Sequence, residues 1–82
     1  MPRRRRDPEP VGRKFGEAVR SERERRGWTL EELGERMDSA HGKYLGEVER
    51  GFHSPTLTMA KRIADALEMP LSKLVAPIDG DS

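Results

Sequence analysis

The chain has no cysteine, and its 82 residues include one tryptophan, one tyrosine, two phenylalanines and two histidines. Without cysteine there is no disulfide staple and no thiolate zinc site, and nothing ties the protein to an oxidising compartment. The histidines, His41 and His53, fall on separate predicted elements, and no Ser-His-Asp order, glycine-rich phosphate loop or His-Glu metal spacing accompanies them. Catalysis, a metal, a cofactor and a small-molecule ligand are therefore not expected. Long apolar runs are missing as well. No stretch approaches the roughly 20 residues that span a bilayer, and the arginine run near the amino end has no apolar segment after it. No membrane association is expected, and a reducing cytoplasm fits.

Net charge is also small, at +1. Its distribution is uneven: Arg3, Arg4, Arg5 and Arg6 against Asp7 and Glu9 leave residues 1–10 at +2, so residues 11–82 must carry −1 to reach the total of +1. The body is nearly neutral and the positive excess lies in the arm.

What the chain does have is charge in abundance (38%) and enough apolar residues (33%) at helical spacing for one small core. At this length a single domain is expected, with a core marginal enough to profit from a partner chain. Residues 1–10 hold three prolines and show no apolar periodicity, which predicts a disordered basic arm. A domain is expected over 11–76 and a flexible polar end over 77–82.

The organising stretch is Thr29 to Gly51. Thr29 followed by Glu32 forms a capping box that starts a helix, and Leu30, Leu33 and Met37 line one face of it. Asp38 and Ser39 read as a turn. Ala40, Tyr44, Leu45 and Val48 then mark a second helix, ended by Gly51, where a left-handed residue is needed. Two short helices joined so tightly must cross steeply, which is helix-turn-helix geometry. A first helix is predicted from about Arg13 to Arg26, with Phe15, Ala18 and Val19 inward and Gly27 at its end. Trp28 precedes the Thr29 cap where an apolar residue staples the helix start against Leu33. After a loop through Pro55, Thr56 is placed to cap a fourth helix with Leu57, Ala60, Ile63, Ala64 and Leu67 as its buried stripe. Pro70 breaks the chain, and a short fifth helix is predicted from Leu71 to about Val75.

These residues carry a resemblance. From Phe15 to Val75 the chain resembles the Cro/repressor-type (Xre) helix-turn-helix family. The match rests on Phe15-Gly16, Arg23, Gly27, Thr29 with Glu32-Leu33, Glu49-Arg50-Gly51, Pro55, Ala60, Ile63-Ala64, Leu67 and Leu74. The resemblance implies an all-α, compact five-helix, lambda-repressor-like domain. It implies a transcriptional regulator of double-stranded DNA, similar to restriction–modification controller proteins and small phage repressors, held to the nucleoid through DNA. It also implies an Arg23–Glu49 ion pair, and it places Gly42, Lys43 and Glu47 where family members contact base edges. Lys43 suits guanine O6 and N7, and Glu47 suits cytosine N4, although Glu47 has Arg50 and Lys43 as alternative partners.

For phosphates the candidates are Arg3, Arg4, Arg5 and Arg6 in the arm, with Thr29, His41, Tyr44 and His53. Each has an alternative: the arm as a solvated tail, His41 as a surface or capping residue, Tyr44 as a ring packed at the helix edge. Two departures from the family pattern stand out. The turn around Met37-Asp38-Ser39-Ala40 is one residue longer than usual, and Leu30 replaces a polar residue that often touches phosphate. Gly42, Lys43, Gly46 and Glu47 are expected to face outward.

Met69, Leu71, Leu74, Val75 and Ile78 are more apolar residues than a short chain end hides easily. Either they cap the core or some of them form a homodimer interface, with two reading helices on a near-palindromic site and repression or autoregulation as the result. The alternative from another class is an adaptor or antitoxin-like module that binds a second protein and has weak DNA contact or none.

Overall fold

The structure, a computed structural model, describes residues 9–37 and 42–80. Arg3 to Arg6, His41 and the lengthened turn therefore lie outside the described residues. Five helices follow in order: α1 (Pro10–Arg25), α2 (Leu30–Arg36), α3 (Gly42–Glu49), α4 (Leu57–Ala66) and α5 (Leu71–Gly80). Every regular element among the described residues is a helix, so the fold is all-α.

Helix α1 begins three residues earlier than its periodicity indicates because Pro10 occupies its first turn. Proline is pre-set for helical φ, and its missing N–H is one that no helix start can satisfy. The Thr29 capping box forms as expected: the Thr29 hydroxyl accepts from Glu32 N–H at 3.0 Å, and the Glu32 carboxylate accepts from Thr29 N–H at 2.8 Å. Thr56 caps α4 in the simpler way, accepting from Met59 N–H.

Helices α1, α3 and α4 end alike. Trp28 N–H reaches back to Arg23 O, Phe52 N–H to Glu47 O and Met69 N–H to Ala64 O, each across a residue in the left-handed conformation. Gly27 and Gly51 fill that position after α1 and α3, but Glu68 fills it after α4, with φ of 61°. Only glycine adopts that conformation without strain against its own Cβ.

The core is built from one stripe of each helix: Phe15 and Val19, Leu33, Leu45 and Val48, Ala60, Ile63, Ala64 and Ala66, and Leu74, with Met37 and Leu67 at helix ends. Leu57 was expected in this set and is not; at the first position of α4 it is 75% exposed. Leu74 was named among the interface candidates. Of its two readings, core cap and interface, it takes the first: it is fully buried, as the α5 residue that faces the core directly.

Helix α5 runs to Gly80 with Pro77 inside it, so residues 77–80 are helical rather than a flexible end. Proline in a helix interior forfeits one backbone hydrogen bond and crowds the preceding turn. Val75 and Ile78, packed against the core on either side of it, give the helix a reason to continue.

Helices α1 and α3 cross closely at Gly16. A Cβ built there would lie 2.2 Å from the Val48 carbonyl oxygen and 2.8 Å from that of Glu49. Nothing larger than glycine fits between these two helix backbones.

Candidate functional site

Helix α3 is gripped from two sides, and the grip determines which of its residues face outward. Toward α1, Leu45 and Val48 are fully buried beside Gly16. Its other contact is with α2. Gly46, expected to face outward, is buried: a Cβ there would meet Leu30 Cδ1 at 3.4 Å, so the small residue lets the half-buried Leu30 seat against α3. Gly42 turns the same way, with the Glu31 carboxylate 3.7 Å from where its Cβ would be. Both glycines thus serve the α2–α3 crossing, and Gly42 has only backbone to offer a ligand.

The side chains that remain outward are Lys43, Glu47 and Arg50, at i, i+4 and i+7 on one face. Arg50 was read as part of a helix end and as an alternative partner for Glu47, not as a reader of DNA. Its spacing from Lys43 is the signal that would have added it to the candidates. Its guanidinium lies 5.8 Å from the Phe52 ring, which is itself half exposed.

The helix end is locked to α1 by charge. Arg23 Nε donates to Glu49 Oε2 at 2.7 Å and Nη2 to Oε1 at 3.0 Å, a two-point pairing of guanidinium and carboxylate. The third arm, Nη1, donates to the Trp28 carbonyl at 2.7 Å. The side chains are 13% and 6% exposed, and the hydrogen bonds from Arg23 to Glu49 raise the arginine's pKa above its ordinary value. The ion pair implied by the resemblance is present. It joins the ends of α1 and α3 and the start of the α1–α2 loop in one node.

Glu47 does not pair with Lys43 or Arg50. Its Oε1 is 2.7 Å from His53 Nε2, and that hydrogen bond, with smaller help from Lys43 and Arg50, holds the carboxyl below its usual range. The imidazole in turn lies 5.0 Å from the Tyr44 ring. Tyr44 is half-buried against the core, which favours the packed-ring alternative, and burial pushes its phenol pKa up. No sequence pattern marks this trio. His53 returns to α3 because the chain reverses at Gly51.

Thr29 is exposed, with its hydroxyl oxygen used by the capping box, so only its O–H hydrogen remains to donate outward. Trp28 is half-buried, with the Arg36 guanidinium 3.8 Å above its ring, an arrangement favoured by the ring quadrupole. Of the interface candidates, Met69, Leu71, Val75 and Ile78 are half-buried. Val75 and Ile78 join Val11, Phe15, Leu57 and Ala60 around a shallow apolar groove of about 190 Å³. Val11 (55% exposed) and Leu57 extend it to the surface, and neither was anticipated there.

Among the described residues no three histidine, aspartate or glutamate side chains group as metal ligands, and no helix is long and apolar enough to cross a membrane. A helix-turn-helix family model matches residues 19–74, from the middle of α1 to the core leucine of α5. The chain is also similar to the HTH-type transcriptional regulator SutR of Escherichia coli (strain K12), at 32% identity over 69 residues. That match covers 84% of this chain and 38% of the relative, so the chain spans well under half the length of that curated protein.

Proposed function

We propose, from the premise that the chain belongs to the helix-turn-helix family, that it is a sequence-specific double-stranded DNA-binding transcriptional regulator acting as a homodimer. The observation that carries this reading is α3. It is a helix fixed by the Gly16 crossing and the Arg23–Glu49 node, with Lys43, Glu47 and Arg50 outward on one face. A helix held this way can enter a major groove as a rigid body, and its exposed side chains then meet base edges. Lys43 is the donor for guanine and Glu47 the acceptor for cytosine. Thr29 and the arm arginines Arg3 to Arg6 are assigned to phosphates, Arg50 to either, and Tyr44 to the packed ring beside His53. The similarity to a transcriptional regulator supports the same reading.

A dimer would seat Val11, Leu57, Val75 and Ile78 against the same residues of a second copy, bringing two α3 helices onto a near-palindrome. Occupation of a promoter then represses transcription, including that of its own gene.

The exposed apolar groove also favours a second reading, a protein-binding adaptor or antitoxin-like module, since Glu31 beside α3 adds negative charge where DNA would approach. In vitro selection from random duplexes with purified full-length protein separates the two. Enrichment of a two-fold-symmetric site supports the dimeric regulator. Recovery of no preferred sequence, with salt-sensitive bulk binding alone, refutes it.

A further inference from the structure

The chain reverses after α3 in a way that returns one loop residue to the outward face of that helix. Gly51, with φ of 83°, turns the backbone, and Phe52 N–H closes on the Glu47 carbonyl at 3.0 Å. The next residue, His53, then reaches the side chain of the same glutamate at 2.7 Å. Its backbone is backed by α1, where a Cβ on Gly12 would lie 3.2 Å from the His53 carbonyl oxygen. Its ring is walled by Tyr44, tilted by 33° at 5.0 Å. An imidazole located so firmly is a fixed point against which a flexible carboxylate is held.

We infer that His53 is a positioning residue for base recognition: it fixes Glu47 through Oε1 and presents Oε2 to the amino group of a cytosine. The inference rests on the DNA-reading role proposed for α3. A glutamate on a helix surface near DNA has two handicaps. Its side chain has several rotamers to lose on ordering, and its charge is repelled by the phosphates. His53 addresses both. The hydrogen bond selects one rotamer, and a protonated imidazole cancels the carboxylate charge, whereas a neutral one leaves it.

Loss of a proton from the imidazole therefore weakens recognition at that base pair. The titratable and charged groups around the pair are few. Tyr44, Lys43 and Arg50 belong to α3, and the last two act on Glu47. Helix α1 brings Gly12, and the start of α4 brings Thr56 and Met59 to the concavity beside the ring; none of these three titrates. The imidazole is 40% exposed, so protons reach it directly.

The test is selection from random duplexes with the full-length protein and its His53→Ala, His53→Gln, Glu47→Ala and double variants. Binding of the selected site is then measured at about pH 6 and about pH 8. Expected is a C·G preference that Glu47→Ala removes, and that His53→Ala reduces roughly tenfold at the same position alone. The double variant should match Glu47→Ala. His53→Gln, whose amide donates but does not ionise, should restore the preference while flattening the pH profile.

Three results overturn the inference. One is a uniform loss for all sequences on His53→Ala, with a salt slope shallower by about one unit, which marks a phosphate contact. Another is additive effects of the two alanine variants. The third is an unchanged base preference. Enrichment of a site by the wild type together with any of these leaves the DNA-binding reading standing. Enrichment of nothing by the wild type overturns both.

Discussion

Gly16 and Gly46 are both glycines inside helices, yet alanine at the two positions is expected to act in opposite directions. In a helix interior alanine is favoured over glycine by roughly 1 kcal/mol, and this gain applies to both. At Gly16 the new methyl would lie 2.2 Å from the Val48 carbonyl oxygen and 2.8 Å from that of Glu49, and both obstacles are backbone. Relief requires α1 and α3 to separate by about 1 Å, a forced repacking of the kind that costs roughly 1–3 kcal/mol and occasionally more.

The same separation strains the Arg23–Glu49 bonds of 2.7 and 3.0 Å, which span the same two helices. The net expectation for Gly16→Ala is destabilisation by roughly 1–2 kcal/mol, which at this size lowers Tm by about 4–16 °C. At Gly46 the methyl meets Leu30 Cδ1 at 3.4 Å and Arg50 Nη1 at 3.7 Å, both movable ends of side chains. Gly46→Ala should therefore gain about 0.5–1 kcal/mol. Urea unfolding followed by far-UV circular dichroism, with thermal melts of the same samples, reads both. A Gly16→Ala variant as stable as the wild type, or the two variants shifting together, would refute the close crossing.

Glu49→Ala leaves the Arg23 guanidinium shielded and without its main partner, so a loss of about 3 kcal/mol is expected in the same urea assay; a loss under about 1 kcal/mol would mean the pair is effectively solvated. Replacing Glu68, at φ of 61°, by glycine removes backbone strain and should raise Tm by a few degrees; no change would show that strain and chain entropy cancel. Arg25 and Arg26 hold the Glu22 carboxyl below its ordinary pKa, as His53 does for Glu47. Folded-state values depressed in this way contribute stability above the unfolded carboxylate range, and the contribution is lost as pH falls through the lowered values. Melts from about pH 5 to pH 2 should therefore show falling Tm, less steeply in Glu22→Gln, and equal slopes would refute the assignment.

Much of this molecule is written locally. Thr29 with Glu32, Thr56 and the glycines at 27 and 51 set where helices start and stop through hydrogen bonds spanning a few residues, so a reader of the chain finds them. The apolar periodicity of Leu33, Leu45, Val48, Ile63 and Leu74 likewise fixes which stripes meet in the core. The Arg23–Glu49 node was legible only through family resemblance, since 26 residues separate its partners. Other features were hidden because they depend on how helices approach one another. Gly46 looked like a bare outward position, yet the α2–α3 crossing makes it a seat for Leu30. Leu57 fitted a buried stripe, yet the entry direction of α4 leaves it exposed, and packing of Val75 and Ile78 carries α5 through Pro77. The meeting of Glu47, His53 and Tyr44 belongs wholly to the tertiary structure. Helix periodicity placed Lys43 and Glu47 together, but only the reversal at Gly51 and the backing of α1 at Gly12 brought an imidazole to that face. Local sequence determines hydrogen bonds within a turn or two, whereas contacts between elements follow from the packing of all five helices at once.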